Sequence, residues 1–242
     1  MTEGMDGTLF ASYNGQGTWR YDYGINSWTP LTGAGTPLPG AVASTLSASQ
    51  SDNALYASFS GHGTWENDGY WVQLASHDAY ELAAVNKNWV YASFGGDKTG
   101  TWSSRGGWHQ INSDLPVAMD ATPGGTLYAS YSGYDPASGG TWSYNPGNFW
   151  TGYNYWMRLT TDVADTIAAV SDTDMIGGFW NGTWDYQNGW NSQGYEITTE
   201  VATQLGHSGS TVIGSWNPSG TFTYDASTYF WQYVGEQSYL VA

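Results

Sequence analysis

Hydrophobic and polar positions alternate over short stretches of this chain, and one such stretch is written six times. LFASY opens it at Leu9, LYASF at Leu55, VYASF at Val90, LYASY at Leu127, MIGGF at Met175 and VIGSW at Val212. A Gly-rich turn follows each, and then GTW, whose tryptophans are Trp19, Trp65, Trp102, Trp142 and Trp184, with Phe222 in the sixth place. Alternation with period two predicts strands, and the glycines predict tight turns between them. A third stretch of each unit is anchored by W–x–x–L patterns at Trp28–Leu31, Trp71–Leu74, Trp108–Ile111, Trp156–Leu159 and Trp231–Val234. The fifth unit lacks this Trp, and GYEI around Tyr195 stands in.

A fourth stretch of small residues follows: AVASTL (Ala41–Leu46), ELAAV (Glu81–Val85), VAMDAT (Val117–Thr122), TIAAV (Thr166–Val170), EVATQL (Glu200–Leu205) and SYLVA (Ser238–Ala242). The period of about 40 residues is that of β-propeller blades. The expectation is therefore an all-β, six-bladed β-propeller with four-stranded antiparallel blades. It forms one domain, 1–242, with repeat units near 7–46, 47–85, 86–122, 123–170, 171–205 and 206–242. Small side chains suit strands crowded near an axis. Because the chain starts in one strand type and ends in another, Ser238–Ala242 is expected to complete the blade begun at Leu9 and so close the ring. The GTW and W–x–x–L tryptophans are read first as core, the former filling the wedge between blades.

Composition narrows the function. Fifteen Trp and 19 Tyr are far above ordinary usage. Only five Lys and Arg face 21 Asp and Glu, a formal charge of −16, too few cations for a phosphate-binding patch. Nucleic acid is therefore not expected as a partner. No apolar run is long enough for a transmembrane helix, and MTEGMDGTLF lacks a signal-peptide pattern. The compartment is left open between the cytoplasm, export by another route and a mature segment of a longer chain, with an extracellular or cell-surface location favoured. Without Cys there is no thiol nucleophile and no Cys-based metal site.

LYASFSGHGTWENDGYWVQL, Leu55–Leu74, resembles the repeat of a group of bacterial β-propeller proteins of the form LYxxF…GxWxYDGxxWxxL. More distantly, the chain is similar to propeller lectins such as tachylectin and the fungal fucose-binding lectins. The resemblance implies a propeller fold and, by analogy, glycan binding. The GTW motif also resembles the Asp box of sialidases, but Ser12–Trp19 has its glycine at the wrong place and Asn for Asp.

No catalytic set is expected. Three arginines, Arg20, Arg105 and Arg158, do not form a carboxylate-binding triad, and the four His lie in different units without a nucleophile. They are read as loop or surface residues. Asp22, Asp68, Asp185 and Asp225 are read as turn caps. Gln50–Asn53 and Ser171–Asp174 are read as solvated loops without a calcium-loop spacing. No metal and no cofactor are expected.

Binding candidates come from aromatics beside polar loops. Tyr13, Phe59, Phe94, Tyr131, Phe179 and Trp216 end the first strand type and are candidate platforms for sugar rings. Phe149, Trp150, Tyr153 and Tyr155 crowd one loop and are candidates for contact with a partner. Three classes fit these residues. The first is a non-catalytic, multivalent lectin-like propeller for neutral glycans. The second is a scaffold or structural subunit of a larger or cell-surface assembly, bound to a protein partner. The third is a glycan-active enzyme, for which 21 acids supply candidate carboxylate pairs.

Overall fold

The computed structural model describes residues 1–133, 139–147, 155–187 and 194–235. The protein is all-β, and among the described residues its one helical element is a 3-10 turn at Gly96–Lys98. Six four-stranded antiparallel sheets make the blades of a six-bladed β-propeller. They fall into two compact units, Met1–Leu115 and Pro116–Val241, of three blades each.

In the first unit, blade 1 contains β1 (Thr2–Glu3), β2 (Leu9–Tyr13), β3 (Gly17–Asp22) and β4 (Ser27–Pro30). Blade 2 contains β5 (Ala43–Ala48), β6 (Leu55–Phe59), β7 (Gly63–Asn67) and β8 (Trp71–Ala75). Blade 3 contains β9 (Ala79–Asn86), β10 (Trp89–Phe94), β11 (Gly100–Ser103) and β12 (His109–Asn112). In the second unit, blade 4 contains β13 (Ala118–Ala121), β14 (Leu127–Tyr131), β15 (Gly140–Asn145) and β16 (Tyr155–Thr160). Blade 5 contains β17 (Ala164–Ser171), β18 (Asp174–Phe179), β19 (Gly182–Gln187) and β20 (Tyr195–Thr198). Blade 6 contains β21 (Ala202–Ser208), β22 (Thr211–Trp216), β23 (Gly220–Asp225) and β24 (Phe230–Gly235).

Every sheet is a meander of consecutive strands. The small-residue strand that follows one W–x–x–L stretch opens the next sheet, as Leu46 facing Ala57 shows. At the edge of blade 1, the place expected for Ser238–Ala242 is held by β1, with Thr2 facing Phe10 and Glu3 facing Leu9. Ser238–Ala242 lie outside the described residues.

The GTW motif works through its first two residues. Its glycine has positive φ in every blade, from 85° at Gly63 to 141° at Gly182, a region that L side chains rarely enter. A Cβ there would also strike the chain where the fourth strand ends: 2.2 Å from the Ala75 carbonyl at Gly63 and 2.3 Å from the Thr160 carbonyl at Gly140. The threonine is buried and ties down the same connection. Thr64 Oγ1 donates to the His77 carbonyl (2.9 Å), Thr141 Oγ1 to Asp162 (2.9 Å) and Thr183 Oγ1 to Glu200 (2.8 Å).

Hydroxyls also join successive blades within each unit. Ser12, Ser58 and Ser130 each accept, at 2.8 Å, the N–H of the alanine that opens or precedes the next sheet: Ala43, Ala79 and Ala164. In unit two, Asp120 accepts the Ala169 N–H at 2.8 Å and pairs with His207 Nε2 at 3.1 Å, so one side chain of blade 4 touches blades 5 and 6. His207 was expected at the surface; its side chain is instead nearly buried against this carboxylate.

Candidate functional site

The aromatic residues divide by depth in a way that alternation alone does not show. In five blades the ring at the end of the second strand meets the W–x–x–L tryptophan edge to face. Phe59 lies 5.3 Å from Trp71, Phe94 lies 5.2 Å from Trp108, and Trp216 lies 5.3 Å from Trp231. This arrangement sets the positive edge of one ring against the negative face of the other. In blade 5, which has no fourth-strand Trp, Tyr186 of β19 takes the place at 5.7 Å from Phe179.

This packing corrects the sugar-platform expectation. Phe59, Phe94, Tyr131, Phe179 and Trp216 are buried in the blades, so none has an open face on which a pyranose could lie. Tyr13 is exposed, at 39 %, against Trp28. The GTW tryptophans contribute to the wedge from a shallower position: Trp65, Trp102 and Trp184 pack against core clusters that hold residues of two successive blades. Trp19, Trp65, Trp102, Trp142 and Trp184 are half-buried. Three of them turn their N–H back to the preceding turn, at Gln16, His62 and Lys98. The W–x–x–L tryptophans also hydrogen-bond to the neighbouring blade: Trp71 Nε1 donates to the Leu31 carbonyl (2.8 Å) and Trp108 Nε1 to Leu74 (3.0 Å). Of the crowded loop, Phe149, Trp150 and Tyr153 lie outside the described residues, and Tyr155 is an exposed residue of β16.

The cations do not assemble into an anion site. Arg105 lies over Trp89 (4.5 Å) and Arg158 over Trp142 (5.5 Å). Among the described residues no cluster of three or more His, Asp or Glu could hold a metal ion. No helix among them is long and apolar enough to cross a membrane.

Two features of the second unit stand out. One is an acid pair in blade 5 that was read from sequence as a turn cap and a loop residue. Asp22 and Asp225 do cap turns, accepting the N–H of Gly24 and Ser227 at 2.8 Å. Asp185, however, lies inside β19, diagonal to Asp174 of β18, since Ile176 faces Asp185 and Asp174 faces Gln187. Both Oδ1 atoms are sealed from water and take no bond from an N–H group. A proton on one of the two carboxyls would supply the missing donor. Burial, then the hydrogen bond to Asp185 and its charge, push Asp174 up to about 8. Burial also raises Asp185, against the bonds from Asp174, Gln187 and Tyr224 that favour its charge.

The second feature is an exposed aromatic surface beside this pair. Asp185, Gln187, Tyr195 and Tyr229 line a cleft of about 410 Å³, with the Tyr229 hydroxyl donating to Gln187 Oε1 at 3.2 Å. Tyr195 of β20 is 65 % exposed. The surface continues from Tyr229 into β24, the sheet's last strand, where Phe230, Tyr233 and Val234 are all more than half exposed. Trp180, in the β18–β19 turn, is 74 % exposed. None of these was singled out from sequence for binding; the aromatic-rich STYFWQYV run carried the signal.

No protein-family profile and no curated protein sequence matches the chain. Solved structures do. The RRP9 WD40 repeats superpose with a TM-score of 0.63 at 9 % identity, covering 96 % of this chain and 78 % of that one. YCF48 bound to the D1 peptide gives 0.60 at 11 % identity, covering 93 % and 76 %. A gluconolactonase from Xanthomonas campestris gives 0.54 at 11 % identity, covering 88 % and 81 %. At these identities the likeness is one of fold, that of WD40-like β-propellers.

Proposed function

We propose that this chain is a non-catalytic interaction propeller that docks a protein partner on the exposed aromatic surface of its last two blades. The observation that carries this reading is the exposure of Tyr195 on β20 and of Phe230, Tyr233 and Val234 on β24, fourth strands that no further strand covers within their sheets, with exposed Tyr229 just before β24. Exposed aromatics in contiguous patches are what interface centres are made of, and Lys and Glu are scarce there. The similar propellers support it: one is a YCF48 with a bound peptide, and another belongs to a mitotic checkpoint complex. A glycan reading has one exposed platform, Tyr13, instead of six equivalent ones.

The test is a photo-crosslinking residue placed at Phe230 or Tyr195, with Asn14 as control, in the native cell. A discrete protein adduct is expected from the first two positions, lost when Tyr233→Asp and Val234→Asp are added. No adduct, together with glycan binding that Tyr13→Ala abolishes, would sink the proposal in favour of a lectin.

A further inference from the structure

The sixth repeat departs from the other five in its aromatics: Phe222 stands for the GTW tryptophan, and Trp216 stands where the others end the second strand on Tyr or Phe. Beside Phe222 is a cavity of about 270 Å³ between the Ile197–Glu200 segment and blade 6, lined by Trp216, Phe222, Trp231, Ile197, Glu200 and Ser219 among others. Both walls belong to the second unit. Two hydrogen bonds that the first unit makes at the corresponding positions are missing. A phenyl ring has no N–H to reach back to its turn as Trp19, Trp65 and Trp102 do. Trp231 makes no bond to Ile197 like those of Trp71 to Leu31 and Trp108 to Leu74, and Ile197 faces the cavity instead.

The three rings stand nearly at right angles. Trp216 and Phe222 are inclined by 73°, Trp216 and Trp231 by 76°, and Phe222 and Trp231 by 90°. With centroids 5.9, 5.3 and 6.2 Å apart they pack edge to face into one apolar wall, on which Phe222 and Trp231 are only half-buried and Trp216 is buried behind them. The carboxylate at the cavity mouth is held in place from both directions. The Glu200 N–H donates to Thr198 Oγ1 (3.2 Å), its carbonyl accepts from Thr183, and its Oε1 accepts from Ser219 Oγ. No Lys, Arg or His among the described residues pairs with it.

We propose that this cavity binds an organic cation, the ammonium or guanidinium head of a lysine or arginine side chain presented by the protein partner. Ring faces attract a cation through their quadrupoles, and the uncompensated carboxylate adds an ion pair. The volume suits one side chain, being below the roughly 300–1,000 Å³ of pockets that enclose drug-sized ligands. A formal charge of −16 on the chain favours a basic partner and repels an acidic one. The proposal rests on the interaction reading but can fail separately from it.

The experiment follows tryptophan indole NMR signals of the full chain during titration with capped lysine and arginine amides. Capped norleucine amide, free butylamine and lactose serve as comparison ligands. The lysine and arginine probes are expected to shift the Trp216 and Trp231 signals. Glu200→Gln should weaken them roughly tenfold, the loss of one desolvated charge contact. Phe222→Trp, which restores the residue of the other five repeats, should abolish binding while the protein stays folded. Norleucine amide binding as tightly as lysine amide would overturn the proposal, as would an unchanged affinity in Phe222→Trp. Shifts from lactose alone would make the cavity a sugar site, and tighter binding of butylamine than of capped lysine would make its ligand a free amine; either overturns it. Loss of cation binding with crosslinks at Phe230 intact would remove this inference and leave the interaction reading standing.

Discussion

Asp174 shows how a residue read as solvated becomes a sensor of pH once two strands place it. Its carboxyl in the fold is pushed up to about 8, well above the ordinary carboxylate range, because burial and the Asp185 charge oppose ionisation. The folded state therefore binds a proton that the unfolded chain releases. The stability this contributes is fully present below about pH 4 and is lost as pH rises toward 8. Glu81 in β9, pushed up to about 7 by burial, acts with the same sign. Thermal melts are expected to fall between pH 5 and 8, and Asp174→Asn should flatten part of that slope and raise the melting temperature at pH 8. A wild-type slope preserved in the variant would show that Asp174 does not hold the proton.

The blade edge, where fourth strand meets preceding blade, decides which tryptophans carry the packing. Trp71 is buried, meets Phe59 edge to face and donates to Leu31 of the previous blade. Trp65 lies on the same face of the sheet but only half-buried, its N–H spent on its own turn. Trp71→Ala is expected to cost about 3–5 kcal/mol, the range for burying and then deleting a large aromatic. Trp65→Ala should cost clearly less. Urea unfolding of the two variants side by side checks the order, and the reverse order would give the GTW set the larger share of the wedge.

Charge acts on the molecule as a whole. With 21 acids against five bases, and two ion pairs made by histidine, self-repulsion works against the compact state. Raising sodium chloride from about 10 mM to about 300 mM shortens the screening length from roughly 30 Å to below 10 Å. The melting temperature should rise by a few degrees. A fall on adding salt would mean that specific ion pairs outweigh the repulsion. On the proposed reading, the same imbalance would favour a basic partner over an acidic one.

Local pattern along the chain determined the strands, their order and the number of blades. Period-two alternation, a glycine that must take positive φ and a recurrent buried threonine are properties of neighbouring residues. GYEI around Tyr195 was legible as a fourth strand for the same reason, and it is β20. Tertiary structure decided depth. Phe59, Trp65 and Trp71 belong to one face of one sheet, and period two cannot tell them apart; what covers each is the previous blade, up to 40 residues away in sequence. The acid pair was hidden because Asp174 and Asp185 meet diagonally across two strands, a register that no single strand records. The aromatic-walled cavity was half legible: Phe222 was visible as the one departure from GTW, but a missing indole means a cavity only where the neighbouring Ile197–Glu200 segment leaves the space unfilled and brings a carboxylate to its edge.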